Sequence, residues 1–186
     1  MRAIWLEVPE SFLEERRRYG QDKKDELWDG VLHMVPPPKF VHEDVVTRLV
    51  IAFTAIAERR GLRCVTAGVF RGDKNYRVPD LTLGKPEHVS ERGFEGAELI
   101  IEVLSPNDES RDKLPFYASV GVREVWLIEP RTRTTELLAL RDDHYAPVPW
   151  IAGRARSPVL GIELELVATA EGPTLELHDG CEVTIV

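Results

Sequence analysis

Asparagine and glutamine are nearly absent from these 186 residues, and arginine far outnumbers lysine. Heat adaptation gives such a bias, and GC-rich coding gives a similar one. Cysteine is scarce too. Cys64 and Cys181 fit no metal spacing, and two thiols in a chain of this length do not make a disulfide framework. A reducing, cytoplasmic setting is therefore expected. No apolar run approaches the ~20 residues that span a bilayer. The N-terminal stretch MRAIWLEVPESFLEERRRYG has neither the apolar core nor the cleavage site of an export signal. No membrane partner is expected. A basic excess is missing as well: the formal net charge is −8. That counts against a simple electrostatic grip on phosphates, although patches occur at Arg16–Arg18, Arg59–Arg63 and Arg131–Arg133. Nucleophile elbow, phosphate-cradling glycine loop and Cys/His cluster are all lacking.

What is present suits one domain, residues 1–186, with room for a sizeable core. Pro9-Glu10-Ser11 opens a first helix that Gly20 stops. Residues 26–34 read as a hairpin turned by Asp29-Gly30, and Pro36-Pro37-Pro38 is a stiff spacer. From Lys39 to Arg60 the apolar residues Val41, Val45, Leu49, Phe53 and Ile56 fall at helical spacing, with Gly61 closing the helix. Leu62–Arg71 and Tyr76–Leu83 read as two strands joined by a polar turn, and residues 84–96 as an irregular surface loop. Ala97–Pro130 reads as buried strand, polar loop, amphipathic helix and second buried strand. That crossover favours parallel pairing. Ser105 or Asn107 is available as a helix cap, and Gly121 ends the helix. Arg133–Leu140 is expected to pair with the preceding strand. His144–Trp150, Val159–Val167 and Thr174–Val186 read as further strands. The sum is a mixed sheet with two main helices, an α/β or α+β domain.

Glu102 stands among Ile100, Ile101, Val103 and Leu104. A carboxylate inside such a run is costly to bury unless a metal, proton or counter-ion compensates it. An arginine such as Arg123 across the sheet would serve equally well. Asp80, in Val-Pro-Asp before the apolar Leu81–Leu83, is either a strand entry or a ligand. Lys113 and Tyr117 lie four apart on one helical face. Lys113 either folds back toward Glu102 or stays solvated beside Asp112. His42 and Glu43 begin the long helix, where capping and the helix dipole already account for Glu43.

Taken together, HEDVV, YRVPDLTL, AELIIEVLSP and RDKLPFYASVGVREVWLIEP resemble the Uma family of restriction-endonuclease-like proteins, formerly a domain of unknown function. The likeness runs from about Asp25 to Leu140. It implies the PD-(D/E)XK nuclease fold: a mixed central sheet flanked by helices, core about 25–140, with an N-terminal hairpin and extra C-terminal strands in 141–186. By resemblance Asp80 is the first acid, Glu102 the second and the Val103 carbonyl a further metal ligand. Glu43 is a further candidate ligand, and His42 and Tyr117 are supporting residues. The usual motif carries its lysine two residues after the second acid. Leu104 stands there, so Lys113 becomes the stand-in.

Hard oxygen ligands select Mg²⁺ or Mn²⁺ over zinc. The expectation is a metal-dependent endonuclease hydrolysing phosphodiester bonds of nucleic acid, DNA first, through Asp80, Glu102 and Lys113. The rival is a catalytically silent nuclease-fold protein used for binding or assembly. Its support is the acidic balance, the displaced lysine and apolar C-terminal strands suited to a homodimer contact.

Overall fold

The computed structural model describes residues 8–106, 109–170 and 172–186; the cap candidate Asn107 lies outside them. Helix α1 (Glu10–Arg18) buries no residue, and Gly20 follows it at a φ of 63°. Strands β1 (Glu26–Trp28) and β2 (Val31–His33) form the expected hairpin. Asp29 and Gly30 turn it at φ 49° and 88°, the left-handed pair that a two-residue turn of this hand requires. Helix α2 (Phe40–Glu58) buries Val45, Val46, Leu49, Ala52, Phe53, Ile56 and Ala57, which includes the expected stripe from Val45 to Ile56; Val41, expected at its start, is only half-buried. The Leu62 N–H returns across Gly61 to the Ala57 carbonyl at 2.9 Å, closing the helix in the manner of a Schellman end.

The two long strands expected next are each broken in two. They become β3 (Arg63–Val65), β4 (Val69–Phe70), β5 (Tyr76–Arg77) and β6 (Leu81–Gly84). β4 and β5 pair with each other, and β5 pairs with β1, in a small sheet ordered β2-β1-β5-β4. β3 and β6 pair in the main sheet instead. Pro79 has no N–H for a continuous ladder. Across from the Arg77 carbonyl the chain crowds at Gly68, where a side chain would come within 2.9 Å of the Phe70 ring and 3.0 Å of that carbonyl. Residues 84–96 likewise differ from a plain surface loop. They contain a 3-10 turn, Pro86–His88, and insert Phe94, 2% exposed, beside Val69 and Ile100.

The main sheet is ordered β10-β9-β8-β7-β6-β3. It adds β7 (Leu99–Val103), β8 (Glu124–Ile128), β9 (Thr135–Arg141) and β10 (His144–Pro147). β7 and β8 are parallel and their outer neighbours antiparallel. The crossover helix is not α-helical throughout: a 3-10 turn, Ser110–Lys113, runs into α3 (Leu114–Ser119), with Pro115 in its first turn. Alternation along β7 separates the two faces. Leu99, Ile101 and Val103 join α2 in one apolar cluster, while Ile100 joins Phe116 and Tyr117 in the other. Burial on both faces explains a strand that is apolar almost throughout.

At the C-terminus, Thr174–Val186 is two strands rather than one. β13 (Gly172–Asp179) folds back into β14 (Glu182–Ile185) at Gly180, φ 66°. With β11 (Arg154–Arg156), not foreseen, and β12 (Glu163–Thr169) they make a sheet ordered β11-β12-β13-β14. Its Leu164, Leu175 and Leu177 complete the cluster under α2. Glu124 of β8 pins this sheet to the core. It is fully buried and accepts the Ser157 hydroxyl at 2.8 Å and the Val159 N–H at 3.0 Å. The class is α+β: a mixed central sheet, few helices, a hairpin before it and extra strands after it. Among the described residues no helix is long and apolar enough to cross a membrane.

Candidate active site

Sheet register brings the two acids together. Leu81 pairs with Ile101 across β6 and β7, so Asp80, one residue before, comes level with Glu102, one residue after. Both are buried, 8% and 3% exposed. The N–H of Val103, the last residue of β7, donates to Asp80 Oδ2 at 2.9 Å. Two positions along from Ile100, Glu102 takes the face that α3 covers. Lys113 and Tyr117, four apart, both donate to Glu102 Oε1, at 3.0 and 2.5 Å.

Lys113 is therefore no solvated lysine beside Asp112; its side chain is 11% exposed. The alternative counter-ion for Glu102 is also displaced, because Arg123 pairs with Glu98 at 2.8 Å. The parallel register accounts for that: Leu99 lies level with Glu124 and Glu102 with Leu127, so Arg123, just before β8, lies at the opposite end of the strand pair from Glu102. His42, in the first turn of α2, brings Nε2 within 3.2 Å of Asp80 Oδ2. Glu43 stays outward, 53% exposed, with Oε1 3.8 Å from His42 Nδ1.

Two further residues belong to this constellation and were not read from the sequence. Lys24 brings Nζ within 3.6 Å of Asp80 Oδ1. Glu26, 1% exposed, accepts from Lys113 Nζ at 2.9 Å, Val78 N–H at 2.8 Å and Trp28 Nε1 at 2.7 Å. Glu26 carried a legible signal, an acid opening the apolar Leu27-Trp28 strand, of the same kind that marked Glu102. Lys24 carried none, since it lies in a run of charged residues.

The electrostatics follow from burial and these partners. Burial pushes the Glu102 carboxyl up to about 7; Asp80 and Glu26 add to the rise, while Lys113 and Tyr117 oppose it. Burial also opposes ionisation of Asp80, but His42, Lys24 and the Val103 N–H outweigh it and hold Asp80 below the usual carboxylate range. Burial works against the Lys113 charge too, yet Glu102 and Glu26 reverse it and hold the ammonium above its ordinary value. The buried Tyr117 hydroxyl is raised well above its ordinary range, so it remains a donor. The result is an ionised acid, a second acid near neutrality and a fixed ammonium in one buried space. Hard oxygen donors with a proton easily lost fit Mg²⁺ or Mn²⁺.

A separate cluster lies on the C-terminal sheet. Among the described residues, Glu165, Glu176 and His178 form the group of three whose ligand atoms all lie within 4.8 Å of one another. Arg154 already holds Glu165 at 2.7 Å, so the group reads as an ion-pair network.

The architecture is that of a nuclease fold. It is similar to the crystal structure of "a putative nuclease belonging to DUF820 from Anabaena variabilis ATCC 29413", with a TM-score of 0.62 and 17% identity, over 75% of this chain and 84% of that one. No curated protein matches the chain. Residues 10–171 match the Uma2 family, described as "Putative restriction endonuclease", and the chain belongs to that family. Membership supports a nuclease-like role and, in general, the use of a divalent metal.

Proposed function

We propose that the protein is an Mg²⁺- or Mn²⁺-dependent endonuclease that hydrolyses phosphodiester bonds, with DNA as its substrate. The observation that carries this reading is the meeting of Asp80, Glu102 and Lys113 in one buried space, with Lys113 Nζ 3.0 Å from Glu102 Oε1. Asp80, Glu102 and the Val103 carbonyl would hold the ion. When bound, it acidifies a water and polarises the scissile phosphoryl group. Lys113 supplies a compact positive charge beside Glu102, suited to orienting that water and offsetting charge that develops on phosphorus. His42 holds Asp80, and Tyr117 holds Glu102 from the core side. Buried partners of this kind fix the acids before substrate arrives. Glu43, at the exposed start of α2, would contribute only a peripheral ligand.

Incubation with supercoiled plasmid and with single-stranded DNA, each plus Mn²⁺, tests the reading. Cleavage is expected from the wild type and absent from Asp80→Ala and Glu102→Ala. Cleavage that persists in Asp80→Ala would assign it to a contaminant or another site.

One observation favours the silent-module reading. Lys24, His42 and the Val103 N–H already surround Asp80, so the acid has internal partners without any ion. Calorimetric titration with Mn²⁺ separates the two. Binding at micromolar concentrations that Glu102→Ala abolishes supports the enzyme; no binding at millimolar concentrations supports the module.

The apolar cluster shared by α2, the main sheet and the C-terminal sheet supports reading residues 1–186 as one nuclease-like domain. The two free cysteines fit a cytoplasmic location. Val183 and Ile185 are exposed on the edge strand β14, 52% and 55%, and are where a homodimer contact would form. Light scattering reads that state.

A further inference from the structure

Lys113 reaches the acids from a 3-10 turn rather than from the strand that carries the second acid. A lysine side chain has several rotatable bonds and loses substantial rotamer entropy when fixed. One contact to Glu102 leaves the ammonium free to swing about that oxygen. The second contact is what defines its place: Lys113 Nζ is also 2.9 Å from Glu26 Oε1. Glu26 is itself immobilised. The Val78 N–H donates to Oε1 at 2.8 Å and Trp28 Nε1 to Oε2 at 2.7 Å. Trp28 is stacked in turn, with His33 at 3.9 Å between ring centroids and the Arg77 guanidinium 4.3 Å from its ring. That guanidinium lies 4.3 Å from the Phe116 ring as well, next in sequence to Tyr117. Val78 stands two residues before Asp80, so one carboxyl of the N-terminal hairpin touches the chain entering the first acid and the ammonium facing the second.

We infer that Glu26 is the positioning residue of Lys113: it clamps the ammonium against Glu102 and so makes a lysine from the crossover turn do what the motif usually assigns to the strand position held here by Leu104. The inference rests on the nuclease reading. Glu26 touches Lys113 and the Val78 N–H, and the contact with Lys113 is the one through which it positions the ammonium. Losing the outer partner of a metal ligand typically lowers activity by about 10- to 100-fold, and the same scale is expected for the partner of the ammonium beside such a ligand.

The test compares wild type with Glu26→Gln, Glu26→Asp and Trp28→Phe. Glu26→Gln is expected to lower kcat for plasmid cleavage by about 10- to 100-fold, with KM and the Mn²⁺ dissociation constant each within about twofold. Glu26→Asp, which keeps the charge, recovers part of the rate. Trp28→Phe keeps a ring but removes the Nε1 donor, and gives a smaller loss in the same direction. A second readout needs no activity: competitive acetylation of the lysines, read by mass spectrometry. Lys113 is expected to be protected in the wild type and to react faster in Glu26→Gln and Trp28→Phe, while Lys39 is unchanged. Unaltered Lys113 labelling in both folded variants overturns the inference, as does wild-type kcat in Glu26→Gln. Loss of Mn²⁺ binding in Glu26→Gln also overturns it, by making Glu26 a ligand. If Glu26→Gln fails to fold, Trp28→Phe decides alone. A wild type that neither binds Mn²⁺ nor cleaves sinks the nuclease reading, yet the labelling still answers whether Glu26 holds Lys113.

Discussion

Asp80 is hydrogen-bonded to the main-chain N–H of Val103, 2.9 Å away, the residue directly after Glu102. The distance between the two acids is therefore set by the β6–β7 register and by one main-chain contact, not by the reach of two flexible side chains. A slip of one residue would turn every side chain of β6 to the other face. It would carry Leu81 out of the α2 cluster, where it is fully buried. The apolar pattern that builds the core thus also aligns the acids.

Asp80→Asn keeps the shape of that contact and removes the charge. The protein is expected to fold, with unchanged near-ultraviolet circular dichroism, and to bind Mn²⁺ at least about tenfold more weakly, about 1.4 kcal/mol. Calorimetry measures it. Unchanged affinity would mean that the ion sits elsewhere.

The pH dependence of metal binding has a definite sign. Burial raises Glu102 to about 7, so below that pH its carboxyl holds a proton that a cation must displace. Mn²⁺ affinity is expected to climb by up to about tenfold per pH unit below 7 and to level off above it. Titrations between about pH 5.5 and 8.5 read the curve. A midpoint near the ordinary glutamate value would show that Glu102 is not the acid whose proton competes.

How far the sequence reaches can be seen at particular residues. The stripe from Val45 to Ala57, the Asp29-Gly30 turn and the apolar runs of β7 and β8 follow from local periodicity and turn chemistry, and the structure has each of them. Glu102 was legible because an acid among β-branched neighbours needs a partner. That the partners are Lys113 and Tyr117, not Arg123, was not fixed by spacing. It depends on how α3 docks. The break at Gly68 and Pro79 was missed because each half still reads as strand; only the departure of β4 and β5 into a second sheet separates them. Glu26 and Lys24 reach the site through that second sheet and the connector before it. No local pattern encodes such tertiary contacts.

Glu124 tests the attachment of the C-terminal sheet. Its carboxyl, raised above the ordinary value chiefly by burial, accepts from Trp126 Nε1 at 2.6 Å, the Ser157 hydroxyl and the Val159 N–H. Glu124→Ala would leave three donors without that acceptor, at about 1–3 kcal/mol for each buried group left unsatisfied. Urea unfolding is expected to show a lower midpoint with at least about 3 kcal/mol lost. Ser157→Ala removes one of those donors and also the acceptor of the Leu160 N–H, 3.0 Å away, and should cost about 1–3 kcal/mol. If Glu124→Ala costs no more than Ser157→Ala, the carboxyl is not what holds this sheet.

Lys113 stands between two buried carboxyls, Glu26 at 2.9 Å and Glu102 at 3.0 Å, and this makes its stability effect non-additive. Removing one partner of a buried ion pair costs about 3–5 kcal/mol, because the remaining charge is left in low dielectric without compensation. Lys113→Met fills similar volume but leaves both acids facing an apolar group. Glu102→Gln in the same chain removes one of those charges and retains an amide that can still accept from the Tyr117 hydroxyl. The double variant is therefore expected to lose less stability than the sum of the two single variants, by about 1–3 kcal/mol, the range of coupling energies found between residues in contact. Urea unfolding of the four proteins in the cycle, at pH 8 where Glu102 is mostly ionised, gives the coupling directly. Simple addition of the two single effects would mean that Lys113 and Glu102 do not interact in the folded protein, and the ammonium would lose its place in the site.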